Sequence, residues 1–247
     1  MSPAIHYEQR GAVALVTIDR PERRNAVDRE ALAGLEAAIA DAQRADPVTR
    51  VLVLTGAGGH FCAGADLTGL EDESFAATLR VVLQGLHDAP FPTIAAVDGA
   101  ALGAGTQLAI ACDLRVATSA ARFGIPAAKL GLMVDHWTVQ RLALLAGHGP
   151  ARAMLLAADV VGGDDAVRLG LAQRAGDLDE TLAWANQIAA LAPLTIQGHK
   201  IALNRLEADL GTDPAVADAF KRAWASADLQ EGLAAFHERR SPAFRGE

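Results

Sequence analysis

Aromatic residues, cysteines and positive charge are all scarce in this chain of 247 residues. Only 4% of its residues are aromatic, so the core must be built mainly from alanine, leucine, valine and isoleucine. The formal net charge is −8, which argues against a nucleic-acid-binding surface, and no segment is densely basic. No apolar run approaches the roughly 20 residues that a membrane span requires. These absences indicate an ordinary globular chain, long enough for one large domain or for one domain with a small appendage.

The two cysteines, Cys62 and Cys112, lie in glycine-rich or apolar surroundings. This setting predicts two reduced, partly buried thiols rather than a disulfide. Their spacing from the histidines fits no metal motif, so we expect no metal site. Residues 1–9 contain neither the basic nor the apolar region of a signal peptide. Together these features predict a cytoplasmic protein.

Short apolar segments alternate with amphipathic ones in the first half of the chain. Residues 11–19, Val51–Thr55 and Ile94–Val97 have the composition of strands, and residues 29–44 and 75–86 have the spacing of helices, the first of them with Asp28 as its predicted N-cap. This alternation predicts an α/β layer with right-handed crossovers. After about residue 135 strand signals nearly vanish, and six helices are expected: Trp137–Leu145, Ala151–Leu156, Asp164–Leu169, Leu178–Leu191, Ile196–Leu206 and Ala215–Ala227.

The most informative feature of the chain is a pair of glycine-rich turns, Gly56–Leu67 and Asp98–Gln107. Each follows a predicted strand, and the second leads into a predicted helix. Glycine lets a backbone approach a ligand closely, because it carries no side chain. Two such turns can aim two backbone N–H groups at one developing negative oxygen, which is an oxyanion hole.

The residues in and around these turns resemble a known family. The pair Phe61–Leu67 and Val97–Asp113 is similar to the signature of the crotonase superfamily, the enoyl-CoA hydratase/isomerase family. Within that family the likeness is to an actinobacterial enoyl-CoA hydratase-like branch, on residues 135–137 and 145–156. Four further segments resemble the family in the same order along the chain: Arg20–Ala26, Ala121–Pro126, Arg168–Ala172 and Arg239–Phe244.

The resemblance implies an α/β fold with a crotonase-like β-β-α spiral core, here residues 1–190. It implies that residues 191–247 form a helical C-terminal region for trimerisation, so a homotrimer or homohexamer is expected. It also implies an acyl-CoA thioester as substrate or ligand, without any other cofactor. By position in the family's motifs, the two oxyanion-hole donors are the amides of Ala65 and Ala104.

Two glutamates that act as general acid and base in the family's hydratases are missing from this sequence. The matching positions hold Gln107, which cannot exchange a proton near neutral pH, and Ala127, which has no polar group. Asp135 matches the position of an acid that occurs in some isomerases and dehalogenases of the family. It is therefore the candidate base, although an aspartate before a predicted helix is also a typical N-cap.

Other residues are candidates for substrate binding, each with a plain structural alternative. Arg24 suits a CoA phosphate but is also typical of a solvated surface. Asp66 is a candidate N-cap, Gln107 can pack at a helix start, and His136 and Trp137 can pack in the fold. The predicted substrate-binding set is Arg24, Ala26, Ala63, Asp66, Leu67, Gln107, His136 and Trp137.

Two functions from different classes remain open at this level. The first is an acyl-CoA enzyme that stabilises a thioester enolate and moves a proton with Asp135, as an isomerase does. The second is a non-catalytic protein that binds a fatty acyl-CoA and carries it. Loss of both glutamates beside an intact oxyanion-hole motif favours the second function more than chance would.

Overall fold

A six-stranded sheet forms the centre of the structure, a computed structural model that describes residues 4–66, 74–208 and 214–245. The first strand pairs antiparallel with the second, and every later neighbour in this sheet is parallel. A second sheet of three short strands lies beside it. The strands are β1 (Ile5–Arg10), β2 (Val13–Ile18), β3 (Val51–Gly56), β4 (Thr93–Val97), β5 (Ala100–Leu102), β6 (Leu114–Ala117), β7 (Arg122–Gly124), β8 (Val160–Gly162) and β9 (Arg174–Ala175).

Successive segments of chain supply one strand to each sheet in turn. The order in the large sheet is β1-β2-β3-β4-β6-β9, and the order in the small one is β5-β7-β8. After β3 the chain forms a parallel bridge from Cys62 to Ala101 in β5, which extends the small sheet by one position. Thus β3, β4 and β6 are each followed by a segment that pairs in the second sheet. This arrangement is the predicted β-β-α spiral, and its α/β class is confirmed.

The helices cover the sheets and then make up most of the C-terminal part. The first begins at an N-cap, Asp28, whose side chain accepts a hydrogen bond from the amide of Ala31, as predicted from its sequence. Its apolar residues recur at helical spacing and are buried against the sheet. The helices are α1 (Arg29–Arg44), α2 (Ser74–Asp88), α3 (Ala104–Ala111), α4 (His136–Ala146), α5 (His148–Leu156), α6 (Gly163–Arg168), α7 (Leu178–Ala189), α8 (Pro193–Ala208), α9 (Pro214–Trp224) and α10 (Ala227–Glu238).

The large sheet is buried on both faces, which explains why its strands are almost wholly apolar. Leu52 and Leu54 of β3 belong to the main core, whereas Val51 and Val53 face a second cluster that includes Ala185 of α7. Alternate residues of a strand point to opposite faces, so both faces need apolar side chains when both are covered. Cys62 and Cys112 are free and fully buried.

The structure departs from the sequence predictions mainly in short elements. Strands β5, β7, β8 and β9 have two or three residues each, too few to show a period in the sequence. The expected strand over residues 11–19 begins at Val13, because Gly11 lies in the hairpin turn with φ of +62°. Helix α10 is not among the six helices expected from the sequence pattern, although it lies in the helical region that the resemblance implies for residues 191–247. In the described residues no helix is long and apolar enough to cross a membrane.

Candidate functional site

The two glycine-rich turns are joined by three backbone hydrogen bonds. The amide of Phe61 donates to the carbonyl of Asp98 over 2.7 Å, and that of Cys62 donates to Ala100 over 2.8 Å. In the opposite direction, the amide of Leu102 donates to the carbonyl of Cys62 over 3.0 Å. The turns therefore form one unit, and the backbone that follows each of them is held in a fixed place.

Glycines are required where the two turns meet. A Cβ on Gly105 would lie only 2.0 Å from the carbonyl oxygen of Cys62. Gly64 has φ of +123° and Gly103 has φ of +52°, a region that residues with a side chain rarely adopt. A Cβ on Gly103 would lie 3.9 Å from the Cα of Gly64, so these two positions are neighbours in space. The residues that directly follow them are Ala65 and Ala104.

The N–H of Ala65 is left free by the register of a parallel bridge. Ala65 pairs with Val27, but the hydrogen bonds run from Val27 to the carbonyl of Gly64 (2.9 Å) and from Asp66 to the carbonyl of Val27 (2.8 Å). In a parallel bridge of this register, the bonds go to the residues on either side of Ala65, so the N–H and C=O of Ala65 itself are not used. No described residue accepts a hydrogen bond from the amide of Ala65. Ala65 lines the main cavity of the protein.

The N–H of Ala104 is free because Ala104 is the first residue of α3. The first amides of a helix have no partner within it, and the helix dipole adds partial positive charge there. The opposite end of α3 carries buried positive charge. Arg115 donates to the carbonyl of Cys112 over 2.8 Å, and Arg141 donates to that of Ile110 over 2.8 Å. These two guanidiniums satisfy the last carbonyls of a helix whose first amide faces the cavity.

Both alanines line one cavity of about 510 Å³, within the size range of small-molecule sites. Most of its wall is apolar, and the polar groups are few. Its lining comes from the two turns, α2, the segment 125–135 and the C-terminal helices: Ala26, Ala63, Gly64, Ala65, Asp66, Phe75, Leu79, Arg80, Leu83, Gly103, Ala104, Gln107, Ile125, Ala127, Leu132, Asp135, Phe220, Trp224 and Phe236, among others.

Three polar residues beside this cavity are linked by hydrogen bonds. Gln107 lies on α3 one turn beyond Ala104, and its amide nitrogen donates to the hydroxyl of Thr138 over 2.8 Å. The backbone N–H of Thr138 in turn donates to a carboxylate oxygen of Asp135 over 3.0 Å, which makes Asp135 the N-cap of α4. Ala127 lines the same cavity and adds no polar group. The predicted N-cap role of Asp135 is thus present, and its carboxylate also reaches the cavity.

The second oxygen of Asp135 faces Arg80 of α2. Its Oδ2 lies 3.6 Å from Nη1 of Arg80, an ion pair that is too long for a hydrogen bond. The same guanidinium lies over the ring of Trp137, 4.4 Å from the ring centre. Asp135 therefore has an oxygen held by α4 and an oxygen beside a cation. Arg80 was not among the predicted site residues.

On the other side of the cavity, the segment before α1 supplies charged groups. Arg23 and Arg24 are both exposed, but only Arg23 lines the cavity, and the predicted Arg24 does not. The carbonyl of Arg24 instead accepts from the amide of Ala63 over 3.0 Å, which fixes the first turn. Asp66 lines the cavity and forms an ion pair with Arg20, whose Nη2 is 3.6 Å from Oδ2.

The remaining predicted residues are dispersed. Ala26 and Ala63 line the cavity as expected. Trp137 lines a second, neighbouring cavity, and His136 is among the lining residues of neither of the two. Leu67 lies outside the described residues.

Much of the apolar wall was missed at the level of sequence. Phe75, Leu79 and Leu83 lie along one side of α2, at the spacing that predicts a helix packed on the core. Phe220 and Phe236 come from helices more than 130 residues further along the chain. The periodicity of α2 was visible in the sequence, but nothing in it distinguishes a residue that faces a cavity from one that faces the core.

No group of three or more histidine, cysteine, aspartate or glutamate side chains in residues 4–66, 74–208 and 214–245 is arranged to hold a metal ion. Burial raises the pKa of both thiols, Cys62 and Cys112, to about 12. They are therefore thiols rather than nucleophilic thiolates near neutral pH.

Known sequences are similar to this one over nearly its whole length. A sequence model described as enoyl-CoA hydratase/isomerase matches residues 8–247. The probable enoyl-CoA hydratase echA6 of Mycobacterium tuberculosis (strain CDC 1551 / Oshkosh) is 45% identical over 246 residues, which cover 98% of this chain and 99% of that protein. The short-chain-enoyl-CoA hydratase of Clostridium acetobutylicum is 35% identical over 246 residues, which are 94% of each chain.

Solved structures agree with the fold. An enoyl-CoA hydratase/isomerase from Pseudoalteromonas atlantica T6c superposes with a TM-score of 0.85 at 30% identity, over 98% of this chain and 100% of that one. A methylmalonyl-CoA decarboxylase in complex with 2-nitronate-propionyl-CoA has a TM-score of 0.90 at 24% identity, over 99% of each chain. At that identity the second likeness shows the fold alone.

A β-β-α spiral built from two sheets, with helices over them and at the C-terminal end, defines a crotonase-type fold. The sequence model that matches nearly the whole chain then fixes the family. The chain belongs to the enoyl-CoA hydratase/isomerase family, and the predicted actinobacterial branch is confirmed by its mycobacterial relatives.

Proposed function

We propose that this protein binds an acyl-CoA thioester in the cavity of about 510 Å³, with the thioester carbonyl held by the amides of Ala65 and Ala104. The observation that carries this proposal is the pair of free N–H groups on adjacent turns. A thioester carbonyl gains negative charge when it becomes an enolate, and fixed donors stabilise that charge. The apolar wall suits the acyl chain. Arg23, at the edge of the lining, is a better candidate for a CoA phosphate than Arg24.

Hydration by two carboxylates does not fit these residues. Gln107 and Ala127 both line the cavity, and neither can give or take a proton. Gln107 is also held by Thr138 through its amide nitrogen. We therefore expect little conversion of a 2-enoyl-CoA to its 3-hydroxy product.

A proton transfer by one carboxylate does fit. In this reaction Asp135 takes a proton from C2 of a 3-enoyl-CoA, and the electron pair moves to the thioester oxygen between the amides of Ala65 and Ala104. When the enolate collapses, the same proton is delivered to C4 and the double bond moves to C2–C3. The reaction is an isomerisation, so no atom or charge is gained or lost overall. Oδ2 of Asp135 is the oxygen for this task, because Oδ1 accepts from Thr138.

The test uses purified protein with 3-hexenoyl-CoA and trans-2-hexenoyl-CoA, followed by the absorbance of the conjugated thioester. We expect 3-hexenoyl-CoA to be converted by the wild type and not by Asp135→Asn, which retains an N-cap oxygen. Conversion at the wild-type rate by Asp135→Asn would refute the role of Asp135. Conversion of trans-2-hexenoyl-CoA to the 3-hydroxy product at a comparable rate would refute the isomerase proposal.

A second candidate function is that of a non-catalytic acyl-CoA carrier. The observation that favours it is the engagement of both polar side chains opposite the hole: Gln107 with Thr138, and Asp135 with Thr138 and Arg80. A carrier predicts tight binding of saturated hexanoyl-CoA with no conversion of either enoyl-CoA. Measured by calorimetry beside the absorbance assay, these outcomes separate the two functions.

We further propose a homotrimer or homohexamer in the cytoplasm. Large apolar side chains are exposed on α8, where Leu194, Leu203 and Ile201 are 81%, 61% and 51% exposed. Exposed apolar patches are typical of surfaces that contact another chain. Light scattering coupled to size exclusion tests the assembly, and cell fractionation tests the location. A monomer across micromolar concentrations would overturn the first prediction.

A further inference from the structure

A second cavity, of about 480 Å³, lies next to the first. It is bounded by the C-terminal half of α2, the start of α4 and one side of α8. Arg80 lines both cavities, so its guanidinium forms part of the partition between them. Polar and charged residues are more frequent in its lining than in that of the first cavity, among them Gln84, His87, Asn204 and Arg205, although most of the exposed wall is apolar.

Two buried side-chain nitrogens in the described residues lack a hydrogen-bond partner, and both belong to residues that line this cavity. They are Nη1 of Arg80 and Nδ1 of His87. A buried polar atom without a partner costs about 1–3 kcal/mol, and more for a charged group. Native proteins leave few such atoms, and each needs an explanation. Because the two share one cavity, a ligand that accepts hydrogen bonds there explains both.

The groups around Arg80 do not supply that acceptor. Oδ2 of Asp135 lies 3.6 Å from Nη1, and Oδ1 of Asp135 is taken by Thr138. The ring of Trp137 covers one face of the guanidinium, at 4.4 Å. Arg80 keeps its charge in these surroundings, although burial lowers its pKa from the usual value. Its Nη1 remains available to the oxygen of a ligand.

His87 is a neutral donor in this setting. Burial, with a smaller effect from the charge of Arg141, lowers the pKa of His87 to about 4, so the ring is uncharged near neutral pH. Its Nε2 lies 4.0 Å from a carboxylate oxygen of Asp88, and its ring meets Trp137 edge-on, with 5.7 Å between centres. In the tautomer that carries the proton on Nδ1, it can donate one hydrogen bond to a ligand.

The charges around the cavity limit the ligand to a single negative charge. Lys200 is already paired with Asp113, with 2.7 Å between Nζ and Oδ2, and Arg80 has Asp135 beside it. Arg205 has no ion pair among the described residues. One acid, Asp88, belongs to the lining, and its side chain is 58% exposed. A dianion such as phosphate would therefore exceed the positive charge that remains unpaired.

We infer that the second cavity is a binding site for a carboxylate monoanion, held by the guanidinium of Arg80 and the ring of His87, with Arg205 as a further cation in the lining. Guanidinium and carboxylate match as a planar, two-point pair. Two sources supply this group. One is the far end of a dicarboxylic acyl chain that enters from the first cavity past Arg80, and this source rests on the proposed function. The other is a separate small carboxylate.

The experiment measures binding by calorimetry in two arms. The first arm compares matched thioesters: succinyl- with butyryl-CoA, glutaryl- with valeryl-CoA, and adipoyl- with hexanoyl-CoA. We expect at least one dicarboxylic member to bind about tenfold more tightly than its partner, the value of one charged hydrogen bond. The second arm titrates propionate, and separately inorganic phosphate, into the protein without any CoA compound.

Three variants complete the test. Arg80→Met must remove the preference, measured as the ratio of affinities within a pair, and must remove propionate binding. Arg205→Met must weaken the dicarboxylic preference and the binding of propionate by several-fold, while butyryl-CoA still binds as in the wild type. Arg152→Met, an exposed arginine of α5 outside both cavities, is the matched control and must change nothing. Thermal unfolding checks that each variant is folded, and Arg205→Met decides the test if Arg80→Met is not.

Each outcome is decisive. A dicarboxylic preference lost in Arg80→Met supports the site and identifies an acyl tail as the source. Propionate binding without any thioester preference supports a separate carboxylate. Neither effect in the wild type, a preference that persists in Arg80→Met, or phosphate bound as tightly as propionate overturns the inference. If butyryl-, valeryl- and hexanoyl-CoA all fail to bind, the proposed function fails, and the propionate arm still tests the site.

Discussion

Replacement of Ala104 by proline removes one proposed oxyanion donor with little disturbance to the fold. Ala104 is the first residue of α3, a position where proline is favoured because the amide has no partner within the helix. The preceding residue, Gly103, has φ of 52° and ψ of −116°, which lies outside the α region that is disfavoured before a proline. The substitution therefore deletes the N–H and keeps the helix.

The size of the effect depends on what the amide stabilises. If it holds an enolate in the transition state, loss of one donor costs about 2.7–4 kcal/mol and reduces turnover roughly 10²–10³-fold. If it only donates to a neutral thioester carbonyl, loss of an ordinary hydrogen bond costs about 0.5–1.5 kcal/mol. The affinity for hexanoyl-CoA then falls by roughly 2–13-fold. The ratio of the two losses separates catalysis from simple binding.

The assay combines conversion of 3-hexenoyl-CoA with calorimetric binding of hexanoyl-CoA. The matched control is Ala227→Pro, at the exposed first residue of α10, where Ser226 is the N-cap. We expect Ala227→Pro to behave as wild type in both measurements. If Ala104→Pro equals this control in affinity and turnover, the amide of Ala104 does not contact the thioester. If turnover falls no further than affinity, the hole does not act in the transition state.

Three further predictions concern stability, measured by urea unfolding. Gly105→Ala should lower the free energy of unfolding by about 1–3 kcal/mol, because its Cβ would lie 2.0 Å from a carbonyl oxygen of the first turn. The control Gly149→Ala has open space around its Cβ and should be neutral or stabilising. Equal effects of the two substitutions would contradict the clash. Burial holds the pKa of His87 at about 4, below its ordinary 6.5, so the unfolded chain binds more protons between these values and stability is lost as the pH falls through this window. His87→Gln should therefore lose less stability than wild type between pH 7 and pH 4.5, and an identical loss would refute this reasoning. Lys200→Met leaves Asp113 without its cation, 2.7 Å away in the native structure, and should cost about 3 kcal/mol at pH 7; a neutral effect would show that the pair adds nothing.

The two turns could be predicted from sequence because their chemistry is local. Gly64 and Gly103 adopt positive φ, and Gly105 approaches a backbone carbonyl, so each leaves a clear requirement at one position. The N-caps Asp28 and Asp135 were predicted for the same reason, since a cap is defined by residues within one turn. Where a structural feature depends only on residues close together in the sequence, the residue types were enough to predict it.

The cavity walls could not be predicted, because they are assembled from distant segments. Arg80 follows an apolar helical residue, and in the sequence it is indistinguishable from a solvated arginine on the outer face of α2. Its role depends on α4, which brings Asp135 and Trp137 to it. Arg24 was preferred to Arg23 from motif position, but a left-handed residue (φ of 50°) at position 24 turns the chain there. Such placements follow from tertiary packing.

The free amide of Ala65 has a consequence for how this site tolerates substitution. It exists because a single parallel bridge with Val27 uses the groups at positions 64 and 66 and skips the one between them. The donor is therefore a property of strand register, and no side chain encodes it. Any residue other than proline at position 65 supplies the same N–H, so the proposed hydrogen bond to a thioester carbonyl does not depend on which side chain stands there. A scaffold of this kind separates holding a ligand from transforming it.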